Sequence, residues 1–267
     1  MLPDQPALRT GIAKFDEARV AGLTCEGRQP NPARMRRQSI CLAMLLLLAW
    51  EAAAGAALRG DPRAVALAQR LVEAIGGTAL WGRARHLYIE ERAFSARSPD
   101  GARTIFYRDL RRPRLYVATG EPLAPSYVVG AGRGWRIDGA TATALTGEQL
   151  ARYAANWPAN IYVMYHRLAA GDDRLTLALD GENGFSVSED GRQIGRFTLD
   201  ARGHLVRWTA PNGEDWIYGP PRAFGPVGFP AWGTRTDGSY RFDYLRVEPS
   251  QEELPEETFR PVAPPPR

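Results

Sequence analysis

The sequence predicts a mostly β protein with a few helices: one large curved antiparallel sheet, an unclosed β-barrel covered on its concave face by helices. Three observations predict it. From His86 onward, short runs alternate apolar and polar residues with period two. Between the runs lie Asp100-Gly101, Asp138-Gly139, Asp180-Gly181, Asp190-Gly191, Asn212-Gly213 and Asp237-Gly238, pairs that supply the positive φ of tight hairpins. Helical periodicity is confined to the start of this region and to one insertion, with no βαβ alternation and no internal repeat.

Before the sheet, Arg34, Arg36 and Arg37 precede the apolar run Ile40 to Trp50, and the small residues Ala52 to Ala57 follow. A positive region, an apolar region and an A-x-A-like site make a cleavable secretory signal. A membrane-spanning helix needs roughly 20 apolar residues, and Glu51 interrupts this run too early. Residues 35–57 therefore read as a signal peptide, cleaved near Ala54–Ala57. The expected destination is the periplasm, with release from the cell as the second choice. Met35-Arg36-Arg37 is a conventional start, which leaves 1–34 as an extension upstream of it.

The domain from Leu58 opens with a helix. Asp61 is placed to cap it, Pro62 suits its first position, and Val65, Ala68, Leu71, Val72 and Ile75 form one stripe. Gly76-Gly77 ends it, and Thr78 to Trp81 add a short turn. Strands are expected over 86–94, 103–109, 114–119, 127–130, 134–138, 175–179, 184–188, 192–199, 205–210, 215–218, 233–236 and 240–247. The insertion starts at a capping box, with Thr146 as N-cap, Gln149 at the third helical position, and Leu145 stapled to Leu150. Pro158 ends that helix and starts a second at Ala159, where Ile161, Met164, Tyr165 and Leu168 share a face. Residues 58–260 thus form one β domain, and 261–267 a Pro-rich tail.

Composition excludes several chemistries. Cys25 and Cys41 both precede the cleavage point, so the mature domain has neither a disulfide nor a cysteine nucleophile. Of 34 basic and 30 acidic residues, 7 and 5 precede Leu58, so 27 and 25 remain, and no nucleic-acid footprint results. His86, His166 and His204 lack partners at metal spacing, and no metal or cofactor is expected. Gly130-Ala131-Gly132-Arg133-Gly134 is followed by a strand and reads as a hairpin loop, because a phosphate loop must open a helix. No catalytic residue is assigned. An envelope hydrolase or isomerase would draw on His86, Glu90 or Asp243 at most.

Aromatic residues alternate along the later strands: Val206 with Trp208, Trp216 with Tyr218, Tyr240 with Phe242 and Tyr244. One wide apolar face results. It is larger than three short helices can fill, so an apolar cavity is expected beneath them.

This layout resembles the LolA/LolB-like superfamily of periplasmic lipoprotein carriers and outer-membrane lipoprotein-sorting relatives. The resemblance covers nearly all of 62–260. It rests on the helix ending Ala74-Ile75-Gly76-Gly77, the Arg112-Pro113-Arg114-Leu115-Tyr116 strand and the hairpin Gly132-Arg133-Gly134-Trp135-Arg136-Ile137-Asp138-Gly139. Further on come Phe197-Thr198-Leu199-Asp200, Gly203-His204-Leu205, Phe229-Pro230, Tyr240 to Leu245, Leu254-Pro255 and Phe259-Arg260-Pro261. It implies an unclosed barrel around helices, with a cavity for acyl chains and no chemistry of its own. Gly147, Pro158 and Gly171 are hinge candidates for the cover. The residues expected to line the cavity are Tyr88, Phe106, Trp135, Met164, Phe197, Trp208, Trp216 and Tyr218. The expected partners are a lipid or lipoprotein acyl chain, transiently a membrane, and an envelope protein, with the chain itself monomeric. The alternative is an envelope protein-interaction or sensor domain on the same fold, without an open cavity.

Overall fold

A computed structural model of the protein describes residues 58–261. The extension 1–34, the signal at 35–57 and the tail after Pro261 lie outside the described residues.

Helix α1 (Pro62–Ala74) begins where Asp61 accepts the Arg63 and Ala64 amides at 2.7 and 3.1 Å, which satisfies two otherwise orphaned donors. It ends as expected: the Gly77 amide returns to the Val72 carbonyl at 2.9 Å. Helix α2 (Thr78–Trp81) then buries Trp81, whose indole N–H donates to the Ile75 carbonyl at 2.8 Å.

The strands are β1 (Arg59–Gly60), β2 (His86–Ser95), β3 (Ser98–Asp109), β4 (Leu115–Thr119), β5 (Ala124–Val129), β6 (Gly134–Asp138), β7 (Thr141–Ala144), β8 (Leu175–Leu179), β9 (Gly184–Glu189), β10 (Arg192–Leu199), β11 (Leu205–Thr209), β12 (Asp215–Tyr218), β13 (Pro221–Phe224), β14 (Val227–Pro230), β15 (Trp232–Arg235) and β16 (Tyr240–Ser250). Fourteen of them form one sheet in the order β1-β8-β9-β10-β11-β12-β15-β16-β2-β3-β4-β5-β6-β7. Its two edges do not pair with each other, so the sheet is unclosed. It is mixed rather than wholly antiparallel, because β1 runs parallel to β8. The chain enters along β8 before turning into α1, and a strand entering that way has no hairpin to reverse it. Strands β13 and β14 form a separate hairpin.

Five of the six Asx-Gly pairs sit in connections between strands, with glycine φ between 55° and 84°. Asp100-Gly101 is the exception and lies inside β3. The β2–β3 hairpin turns instead at Ala96-Arg97, which lengthens both strands beyond the expected ends. Gly101 is still required there, since a Cβ at φ 82° would meet the Phe94 ring at 2.6 Å.

Helix α3 (Gly147–Asn156) carries the expected capping box, with Thr146 accepting the Gln149 amide at 3.3 Å and Gln149 accepting the Thr146 amide at 2.9 Å. A 3₁₀ turn over Trp157–Ala159 follows, and α4 (Ile161–Ala170) starts two residues later than expected, capped by Asn160. Helix α4 is buried on nearly every side, whereas α3 buries no residue fully. Packing of α1, α2 and α4 against one face of the sheet makes a single hydrophobic cluster that includes Leu71, Trp81, Met164, Phe185 and Phe197. No helix among the described residues is long and apolar enough to cross a membrane.

Candidate functional site

Pairing registers decide which side chains share the helix-covered side. Leu87, Ile89 and Glu91 on β2 pair with Arg108, Phe106 and Thr104 on β3, so all six project to the same side. Phe106 continues that row through Val117 and Tyr127 to Arg136 on β6. From β16, Tyr240, Phe242 and Tyr244 join them.

A polar network lies inside this apolar surround. The Tyr240 hydroxyl donates to Glu91 Oε1 at 2.8 Å, and the Tyr162 and Tyr244 hydroxyls share a hydrogen bond of 2.5 Å. Glu91 is 3% exposed. Burial pushes its pKa up to about 7, against the opposing effects of the Tyr240 hydrogen bond and the charge of Arg108. The Arg108 guanidinium sits over the Tyr162 ring, 5.8 Å from its centroid. Burial also raises the hydroxyl pKa values of Tyr162, Tyr218 and Tyr244, which stay neutral donors. Trp216 packs edge-on to Tyr240 at 6.0 Å and tilted on Phe242 at 5.7 Å.

Several polar atoms here are buried without a protein partner: Arg108 Nε, the Tyr153 hydroxyl, and the indole N–H groups of Trp208 and Trp216. A buried donor left unpaired costs about 1–3 kcal/mol. Ordered water or another polar molecule completes the hydrogen bonding of such atoms in folded proteins.

The covering elements differ in how they seat. Under α4, packing is continuous: Phe185 stacks on Phe197 at 4.9 Å, and Met164 abuts Gly195. Under α3 it is not. Leu150 touches Gly134 of β6, but Leu150 and Tyr153 are only half-buried, and an open pocket of about 280 Å³ lies beside this contact, lined by Tyr127, Arg136, Leu145, Gln149 and Tyr153 among others.

The eight residues expected to line a cavity divide accordingly. Met164 and Phe197 are fully buried, and Trp208 and Tyr218 nearly so, within the packed cluster. Phe106 and Trp216 are half-buried at its margin. Tyr88 and Trp135 lie on the other side of the sheet. Tyr88 packs on Tyr107 at 5.0 Å beneath Arg246, and Trp135 faces a cleft formed with the C-terminal Phe259. Alternation shows which residues share a face, not which face is inside. The expectation missed Glu91, Arg108, Tyr153, Tyr162 and Tyr240. Neither charge carries a signal in the sequence, and only the pairing of Glu91 with Thr104 and of Arg108 with Leu87, on the side shared by Ile89 and Phe106, reveals them.

The residues considered for hydrolysis do not converge. Glu90 accepts Arg103 Nε at 2.8 Å on the outer side, Asp243 pairs with Arg241 at 3.0 Å, and His86 Nδ1 bonds the Glu252 carbonyl at 2.7 Å. Among the described residues there is no metal-binding group of three or more His, Cys, Asp or Glu side chains.

No sequence profile of a known family matches this chain, and no curated protein matches it in sequence. Among solved structures, a DUF1329 family protein from Desulfovibrio piger is similar over 75% of this chain and 98% of its own, at 9% identity and a TM-score of 0.39. That likeness is too distant to carry an argument about fold or function.

Proposed function

We propose that this protein is an exported, non-catalytic binder or carrier of acyl chains, taken from a lipid or a lipoprotein, and that the chain lies between α3 and the interior face of the sheet. The observation that supports this is a cover without a seal. Helix α3 is well capped and amphipathic, yet it buries no residue fully and leaves a pocket beneath it. Half-buried Phe106, Trp157, Tyr162, Trp216 and Tyr240 border the packed core, as an apolar guest would need. Each methylene moved from water into such a place contributes about 0.8 kcal/mol. Binding then requires no reacting group, only displacement of α3 about Gly147 and Pro158, which bracket it.

One observation favours the alternative, an interaction domain. The half of the interior under α4 is closely packed, with Met164 and Phe197 at 0% exposure, and a guest there would have to displace core side chains. Native mass spectrometry of the purified protein separates the two readings. An acyl carrier is expected to show an added lipid mass that is lost on denaturation and reduced in Phe106→Asp. A clean unliganded mass, with no uptake of a fluorescent fatty acid, would favour the interaction domain.

A further inference from the structure

Arg108 is an anomaly of charge. It projects from the middle of the sheet into the helix-covered side, and its Nε is buried without a hydrogen-bond partner. Most other arginines in the domain have a carboxylate within reach. Among the described residues no carboxylate comes within 4.0 Å of half-buried Arg108, whereas the more deeply buried Arg167 holds both Asp172 and Glu189. Glu91 senses the charge of Arg108 but spends its hydrogen bond on Tyr240. The guanidinium lies over the Tyr162 ring, but a charged N–H buried without an acceptor is costly, and folded proteins bring such a donor a water or an anion.

A second unpaired donor stands beside it. The Tyr153 hydroxyl is also buried without a hydrogen bond of normal geometry; burial raises its pKa, and the charge and loose contact of the Arg108 guanidinium beside it oppose that, with Asp109 also nearby. Tyr153 comes from α3 and lines the pocket beneath that helix. That pocket's other polar side chains include Arg136, Arg152, Gln149 and Asn156, and no carboxylate lines it. Two orphaned donors at one place, next to a pocket without acidic groups, call for an acceptor-rich anion. The planar guanidinium fork suits a carboxylate or a phosphate.

We propose that Arg108 and Tyr153 form a headgroup subsite that selects an anionic amphiphile, holding its carboxylate or phosphate oxygens while the chain occupies the apolar interior. This deepens the acyl-binding reading and rests on it. Because Tyr153 belongs to the cover, an anion held by both residues also fastens α3 over the ligand. The headgroup thereby completes the seat of α3 on the sheet.

The test compares ligands of equal chain length by displacement of a fluorescent probe from the full chain. Palmitate is expected to bind about tenfold more tightly than hexadecanol, the effect of one charge-assisted hydrogen bond on a buried group. Arg108→Gln is expected to remove that preference while leaving hexadecanol affinity unchanged. Because Arg108 is interior, Tyr153→Phe on the outer helix serves as the second variant, with a severalfold loss for palmitate alone. Hexadecyl phosphate is expected to behave as palmitate does. Equal affinity for palmitate and hexadecanol, unaltered by either variant, would overturn the subsite and leave the acyl-binding reading standing. Tight binding of inorganic phosphate without a chain would overturn it too, in favour of a free-anion site. Failure of both chains to bind would sink the acyl-binding reading and the subsite with it.

Discussion

Glu91 shows how one residue couples the interior to pH. Its carboxyl is nearly sealed from water and is held by Tyr240, with a pKa pushed up to about 7 by burial. The native state therefore keeps its proton over a range in which the unfolded chain has lost it. Stability from this group is complete below the ordinary glutamate range and falls as pH rises from there through about 7. A shift of this size is worth roughly 3 kcal/mol. Thermal melts of Glu91→Gln, which keeps an acceptor for Tyr240, are expected to lose that pH dependence and to exceed the parent in melting temperature above neutrality. Identical pH profiles for parent and variant would show that Glu91 is ionised in the folded protein. None of this is legible in sequence, where Glu90 and Glu91 are adjacent and chemically alike. One pairs with Arg103 at the surface and the other is buried, and only the inward-facing phase of β2 separates them.

Among elements, α3 and α4 are neighbours in sequence with opposite fates. Helix α4 is fixed by core packing on nearly all sides. Helix α3 relies on its own capping box and a half-buried edge. Local opening of α3 should therefore cost far less than opening of the domain. Hydrogen exchange is expected to show α3 amides exchanging orders of magnitude faster than those of α4. Thr146→Ala, which removes a cap worth about 1 kcal/mol, should speed α3 exchange further without altering the sheet. Equal protection of the two helices would mean that α3 is no movable cover. The capping box, the Asp61 cap and most hairpin glycines were readable because their chemistry is local. Strands β7, β13 and β14 were not. Thr141 to Ala144 is a fully exposed edge of small residues without an apolar alternation to detect, and β13 and β14 are short and bounded by prolines. Two-residue β1 exists only because β8 offers it an edge.

At the scale of the molecule, one sheet face serves two purposes. Under α1 and α4 it is a packed core, with Phe185, Phe197 and Met164 closed to solvent. From β12 through β16 and β2 to β6 it becomes a mixed surface, with half-buried Trp216, Tyr240 and Phe106 and the unpaired donors of Trp216 and Arg108, and the loose helix lies at its β5–β6 end. The wide aromatic face was apparent from the sequence. Its division into packed and open halves depends on how deeply each helix seats, which periodicity does not encode. The proposed function belongs to the open half, and tryptophan emission reports on it directly. Trp157 adjoins α3, and Trp216 sits among Tyr240 and Phe242 with its indole N–H unpaired. A bromine atom quenches tryptophan fluorescence only near contact, so brominated stearate should be titrated into the protein beside unbrominated stearate. Saturable quenching by the brominated chain alone, diminished in Trp216→Phe, is the expected result. Emission unchanged up to the solubility limit of the lipid would contradict an acyl chain in this interior.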